Sequence, residues 1–190
     1  MNQANSQKSM RERMLAGEPY IATDPELSRM HRHAQRILHV FNASSPDASE
    51  ERQSLLKDLF GSLGNGAEIK PSFRCDYGFN IFAGENIFIN YDCVILDCNT
   101  VRIGDRVLLG PNVQIYTATH SLDSAVRKDG WEYALPIEIG SDVWIGGGAI
   151  ICPGVTIGSG STIGAGSVVT RTIPPKVFAA GNPCRIIRGL

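Results

Sequence analysis

Past residue 39 the sequence holds a single histidine, His120. It closes the segment Ile115-Tyr116-Thr117-Ala118-Thr119-His120, where a regular stretch of chain gives way to a long polar interruption. An imidazole titrates near neutrality, so at such a corner it can act as a general base. An alcohol hydroxyl is far too weakly acidic to attack a thioester unaided, and one positioned base is the least such a transfer requires. A lone histidine is more often structural; its place beside the largest loop singles this one out. The five cysteines, Cys75, Cys93, Cys98, Cys152 and Cys184, form no CxxC pair and no Cys/His cluster with zinc spacing. They read as small buried hydrophobes, and their odd number argues against a disulfide framework.

The residues around His120 follow a period of six. From Ile139 onward apolar residues fall at Ile139, Ile145, Ile151, Ile157, Ile163 and Val169, with Val143, Ala149, Val155, Ser161, Ser167 and Ile173 four places on. The same frame appears at Ile103, Leu109 and Ile115, and a weaker copy at Ile69, Cys75, Ile81, Ile87 and Cys93. Six is neither the helical 3.6 nor the strand alternation of 2; it is the repeat of a β-solenoid, one short strand and one turn per hexad. Fourteen hexads in blocks of five, three and six predict a little under five three-sided coils. The frame breaks twice, by four residues before Ile103 and by the polar segment 121–136, which carries Trp131 and Tyr133.

Before residue 62 the pattern is helical. Asp24 caps and Pro25 opens a segment with Leu27, Met30, Ile37, Leu38 and Phe41 inward; a second helix follows Pro46 with Leu55, Leu56, Leu59 and Phe60. The first fifteen residues or so are expected to be loose or to form a short helix. The expected organisation is a helical region over 1–62 and a mainly β, left-handed parallel β-helix over 63–190. That helix has an excursion loop at 121–136 and an extension after 174. Eighteen Lys+Arg against 19 Asp+Glu, without a long basic run, give no footprint for nucleic acid. No apolar run approaches the ~20 residues of a membrane span. The start MNQANSQKSMRERM lacks an apolar h-region, so the expected location is the cytoplasm.

The segments FRCDYGFNIF (73–82), QIYTATH (114–120), VWIGGGAIICPGVTIG (143–158), IGAGSVVT (163–170) and GNPCRII (181–187) resemble the maltose O-acetyltransferase group. That group includes galactoside acetyltransferase and the nodulation-factor acetyltransferases, and the resemblance runs from about Met14 to Leu190. It implies a homotrimer of left-handed β-helices with active sites between subunits. It also implies acetyl-coenzyme A as co-substrate, a sugar hydroxyl as acceptor and no metal.

The resemblance further implies roles for individual residues. His120 matches the catalytic base and Asn90 a residue that helps stabilise the transition state. Asp24, Asp76, Asn90 and Asp97 fall at acceptor positions. Gly147, Ala165, Thr170, Arg171, Arg185 and Arg188 fall at coenzyme A contacts, where arginines suit phosphates. At 98 a cysteine stands where the galactoside enzyme carries a second acidic residue; at 171 an arginine replaces the commoner lysine.

Simpler readings stand beside these. Asp24 reads equally as a helix cap, Asn90 and Asp97 as solenoid turn residues, and Arg185 and Arg188 as a solvated face. Trp144 either covers a coil or lines a groove, and Trp131 with Tyr133 offers a platform for a pyranose. His31 and His33 are expected at the surface. β-Helix carbonic anhydrases hold zinc with three histidines where this solenoid has one. A solenoid serving only as a scaffold or sugar-binding module is the non-enzymatic alternative.

Overall fold

The computed structural model describes residues 8–190. After α1 (Met10–Leu15), β1 (Tyr20–Ile21), α2 (Pro25–Ala43) and α3 (Ser49–Leu59), the chain enters a parallel β-solenoid. The first coil is β2 (Ser62–Leu63), β3 (Glu68–Ile69) and β4 (Phe73–Cys75). The second is β5 (Ile81–Ala83), β6 (Phe88–Ile89) and β7 (Cys93–Leu96), and the third β8 (Val101–Ile103), β9 (Leu108–Leu109) and β10 (Gln114–Tyr116). An excursion follows: β11 (Ala118–His120), α4 (Ser124–Lys128) and β12 (Trp131–Ala134). Coil four is β13 (Ile137–Ile139), β14 (Trp144–Ile145) and β15 (Ile150–Ile151); coil five is β16 (Thr156–Ile157), β17 (Thr162–Ile163) and β18 (Val168–Val169). A sixth turn begins with Ile173, bridged to Ile157, and β19 (Val177–Ala180), on which β20 (Arg185–Gly189) folds back antiparallel.

Stacking at the strand spacing of ~4.8 Å per coil gives three faces. Face 1 runs β2-β5-β8-β13-β16, face 2 runs β3-β6-β9-β14-β17-β19-β20, and face 3 runs β4-β7-β10-β15-β18. The aliphatic leads form one continuous inward column, with Ile103, Leu109, Ile115, Ile139, Ile145, Ile151, Ile157, Ile163 and Val169 all buried. No coil closes that core alone, so each depends on its neighbours. Corners recur in one conformation: Asp92, Asn112, Gly148 and Gly166 occupy equivalent turn positions with φ of 59°, 56°, 69° and 68°. Asn, Asp and Gly tolerate that left-handed region.

The expected solenoid and helices are present, and the early frame differs. The strand register pairs Ile69 with Ile89 and Cys75 with Ile95, and Ala83 with Ile103. The true leads of the first block are therefore Ile69, Cys75, Ala83, Ile89 and Ile95, while Ile81, Ile87 and Cys93 fill the second inward position. The four extra residues are split two and two, after β4 and after β7. Both inward positions are apolar, so hydrophobicity alone does not distinguish the two frames. Five coils and part of a sixth result, more than the count of hexads predicts.

In the helical region Ser9 and Glu12 form a capping box on α1. Leu27, Ala34, Leu38 and Phe41 of α2 pack inward, while His31 and His33 are exposed. Residues 1–7, part of the stretch expected to be loose or helical, lie outside the described residues. No helix among the described residues is long and apolar enough to cross a membrane.

Candidate active site

All three interruptions of the solenoid fall on one edge, where face 3 turns into face 1. Successive coils place 76–80, 97–100 and 117–136 there, one above another. Sequence spacing shows that residues are inserted; only the register shows that they stack.

The excursion is a hairpin. β11 pairs antiparallel with β12, and β12 with β1, setting Tyr20, Glu132 and His120 in one cross-strand row. Directly opposed residues share a face of a sheet. His120 is exposed and Glu132 half-buried, and the Tyr20 hydroxyl donates to Glu132 Oε2 at 3.1 Å. The same face packs Tyr20 and Ala134 against Tyr77 and Cys98 of the solenoid edge, with Met14 of α1 and Leu27 of α2. Trp131 and Tyr133 alternate onto the opposite face, and the Arg13 guanidinium lies 5.3 Å from the Trp131 ring centre. The two rings suggested as a pyranose platform thus lie on the face of the hairpin opposite His120. Glu132 was not singled out from sequence; the only available signal was its place in a potential strand of the polar insert.

Beneath the hairpin, Cys98 Sγ donates to Asp76 Oδ2 at 3.3 Å. Burial raises the Asp76 carboxyl, opposed by the Cys98 thiol and by His31, whose ring meets Tyr77 edge-on at 6.1 Å. Asp97 is fully buried, and its carboxylate accepts backbone N–H groups of Asp76 (3.0 Å), Tyr77 (2.8 Å) and Asn80 (3.3 Å). It therefore fixes the backbone that presents Asp76. Asn99 does the same for the neighbouring segments, donating through Nδ2 to the carbonyls of Met14 (3.1 Å) and Ala134 (2.9 Å). Asp24 caps α2, its Oδ1 accepting from Glu26 N (2.9 Å) and Leu27 N (3.3 Å), four residues beyond Tyr20.

Burial pushes Asp97 from its ordinary 3.8 up to about 7, against the pull of the Tyr77 and Asn80 N–H groups. The folded protein then holds this proton more tightly than the unfolded chain. The stability gained from that preference is full below 3.8 and is lost as pH rises through about 7. Asp97→Asn is expected to flatten that slope. Urea midpoints at several pH values check it; an identical slope in the variant would refute the assignment.

Three of the remaining candidates lie on the edge between faces 2 and 3. Asn90 follows β6, Gly147 follows β14 and Ala165 follows β17, in adjacent columns along the axis. Asn90 Oδ1 accepts from Tyr91 N at 2.8 Å. The lower part of this edge is bare backbone. A Cβ on Gly110 would come within 2.5 Å of Gly147 N, and one on Gly146 within 2.5 Å of Ala165 N, so the coils approach this closely only without side chains. Thr170 and Arg171 are exposed on the first edge, two coils below the excursion, and Arg185 and Arg188 are exposed on β20 at the end of face 2. One chain therefore does not bring Asn90 to His120; face 3 lies between them. No group of three or more His, Cys, Asp or Glu that could hold a metal occurs among the described residues. The cysteines are free, with Cys152 alone half-buried.

Known proteins share the fold and the repeat. Residues 13–64 match the maltose acetyltransferase hexapeptide capping motif, and residues 136–171 the six-repeat bacterial transferase hexapeptide. Nodulation protein L of Rhizobium meliloti (strain 1021) is 48% identical over 179 residues, covering 94% of this chain and 98% of that protein. The crystal structure of a maltose O-acetyltransferase from Clostridium difficile 630 superposes with a TM-score of 0.96 at 49% identity, covering 96% of this chain and 98% of the other. A galactoside acetyltransferase in complex with coenzyme A superposes with a TM-score of 0.94 at 43% identity, covering 96% and 92%. On fold, repeat and relatives together, the chain belongs to the hexapeptide-repeat acetyltransferases, in the group of the maltose and galactoside enzymes.

Proposed function

We propose that the protein transfers an acetyl group from acetyl-coenzyme A to a hydroxyl of a sugar, in the cytoplasm, as a homotrimer with active sites between subunits. The observation that carries this reading is the division of the candidate residues between two edges of the prism. On both edges the order along the axis is the same. Asn90 and His120 lie toward the N-terminal coils; Gly147 and Ala165 on one edge, Thr170 and Arg171 on the other, lie toward the C-terminal coils. Juxtaposing one subunit's first edge with a neighbour's second edge makes a single groove. Its acceptor end is at the excursion and its donor end at β20, about 15 Å away over three coils.

The outward side chains suit such an assembly. Below the first coil, which carries Glu68 on face 2 and Arg74 on face 3, face 2 presents Phe88, Leu108, Trp144 and Phe178, with Leu108 46% and Trp144 55% exposed; face 3 presents Val94, Ile150 and Val168. Face 1 is more polar, presenting Arg102, Glu138 and Thr156 with Phe82 under the Arg102 guanidinium. A threefold ring needs two different patches on each subunit, one for each neighbour, and two apolar faces meeting at one edge supply them.

In the groove, acetyl-coenzyme A lays its pantetheine arm on the backbone shelf at Gly147 and Ala165. Thr170, Arg171, Arg185 and Arg188 receive its polar and phosphate groups. Asp76 and Asp24 orient the sugar, with Asp97 holding the Asp76 corner. His120 takes the hydroxyl proton as the oxygen attacks the thioester carbonyl, and Glu132 across the hairpin steadies the imidazolium. Asn90 of the neighbour, or a backbone N–H, donates to the developing oxyanion. The intermediate collapses with loss of the thiolate, which takes the proton from His120, giving the acetyl ester and coenzyme A.

A panel of maltose, glucose, galactosides, an oligosaccharide and a non-sugar hydroxyl acceptor, read by free thiol release, tests the proposal. Release that depends on a sugar supports it. Release only with the non-sugar acceptor would move the activity to another hydroxyl class. Absence of both release and coenzyme A binding would leave the non-catalytic scaffold.

A further inference from the structure

The helix α2 is strongly basic on its outer surface. It carries Arg29, His31, Arg32, His33, Arg36 and His39, all exposed, against one acidic residue, Glu26. None of the six forms an ion pair with a carboxylate among the described residues. With histidines counted as neutral the chain has a net charge of −1, while this helix holds three arginines against one glutamate, a local concentration of positive charge.

One flank of α2 overhangs the start of face 3 and leaves a groove of about 390 Å³, lined by Gln35, Leu38, His39, Asn42, Phe73 and Arg74. Asn42 is committed to structure, since it donates to Phe73 O and accepts from Phe73 N, both at 2.9 Å. Gln35 Nε2 donates to Cys75 O at 2.9 Å and to Asp76 O at 3.4 Å, which ties the upper end of the groove to the Asp76 corner. His39 and the exposed Arg74 guanidinium remain for a ligand. The carboxylates on the corners bounding β4 and β7 are already engaged: Asp76 with the Cys98 thiol, and Asp92 with the Ser72 hydroxyl at 2.6 Å. The groove therefore leads away from the acceptor corner toward the His39 ring and the Arg74 guanidinium, which forms no ion pair among the described residues.

We propose that this groove is a subsite for an anionic substituent of the acceptor, with Arg74 and His39 binding the carboxylate, phosphate or sulfate of a sugar unit adjacent to the one acetylated. It rests on the reading of the Asp76 edge as the acceptor site. Arg74 meets the oxyanion with its planar fork, His39 adds a second donor, and the remaining charges of α2 raise the local concentration of anionic saccharides.

The test compares two acceptors on the same enzyme samples: a neutral disaccharide, and the same disaccharide oxidised to the uronate at C6 of one ring. For the unmodified protein kcat/KM is expected to be about tenfold higher for the uronate, the lower range for a hydrogen bond to a charged group, and the ratio should shrink as salt screens the exposed charges. Arg74→Gln with His39→Gln should bring the ratio to about one, while Arg102→Gln, on face 1, leaves it unchanged. Because both acceptors are assayed on one sample, loss of folded protein cancels from the ratio. Equal kcat/KM for the neutral sugar and for its uronate, phosphorylated and sulfated forms in the unmodified protein, or a ratio that survives the double substitution, overturns the subsite alone. Acetylation of neither sugar overturns the sugar-acetylating reading and the subsite with it. A phosphorylated and a sulfated form of the same disaccharide, assayed beside the uronate, rank the oxyanions, and the largest ratio over the neutral sugar assigns the substituent.

Discussion

His120→Ala is expected to lower kcat by about 10²–10⁴-fold, the usual contribution of a positioned general base. The side chain is exposed, at the end of β11 and outside the solenoid column. Its removal leaves no cavity and no buried unpaired group, so stability should shift by no more than about 0.5 kcal/mol. The KM values should change little, because neither the shelf at Gly147 and Ala165 nor the Asp76 corner depends on the imidazole. Steady-state kinetics with saturating donor and acceptor, alongside circular dichroism and sedimentation, separates these effects. Unimpaired turnover in a folded variant would remove His120 from the mechanism.

Ala165→Trp carries the second large effect. Ala165 is exposed, on an edge where neighbouring corners are glycine, and a Cβ built on Gly148 or Gly166 meets nothing within 4 Å. An indole there lies across the shelf and lifts the pantetheine arm from its backbone contacts. Losing two or three hydrogen bonds at about 1 kcal/mol each raises KM for acetyl-coenzyme A by about 10²-fold. The acceptor KM should stay nearly constant. Calorimetry with coenzyme A and initial rates at varied donor check this, and an unaltered donor KM would place the arm elsewhere.

How much of this was legible beforehand differs between the column and the corners. The sixfold repeat reports the inward column directly, because each coil needs an aliphatic residue at the same place; from Ile139 to Val169 the expectation and the register coincide. It misreads the frame between Ile81 and Cys93, where both inward positions are apolar and the small Ala83 leads a strand. It also leaves the excursion undefined. The row of Tyr20, Glu132 and His120 depends on residues 112 positions apart pairing across a sheet, and no local pattern encodes such a pairing. Asp97 was legible as chemistry but not as geometry: a buried carboxylate collecting three backbone N–H groups looks in sequence like an exposed one aimed at a ligand.

The claim on which the rest depends is that base and donor shelf come from different subunits, and mixed assembly tests it most directly. His120→Ala and Ala165→Trp chains, each nearly inactive alone, are co-expressed with different tags, and the oligomers carrying both tags are isolated. In a trimer containing both chains each groove takes its base from one chain and its shelf from the next, so one groove in three, about a third of the total, is intact. Activity should recover to about that share of the unmodified protein. No recovery in oligomers shown to contain both chains would mean that each chain completes its own site, contradicting the intersubunit account.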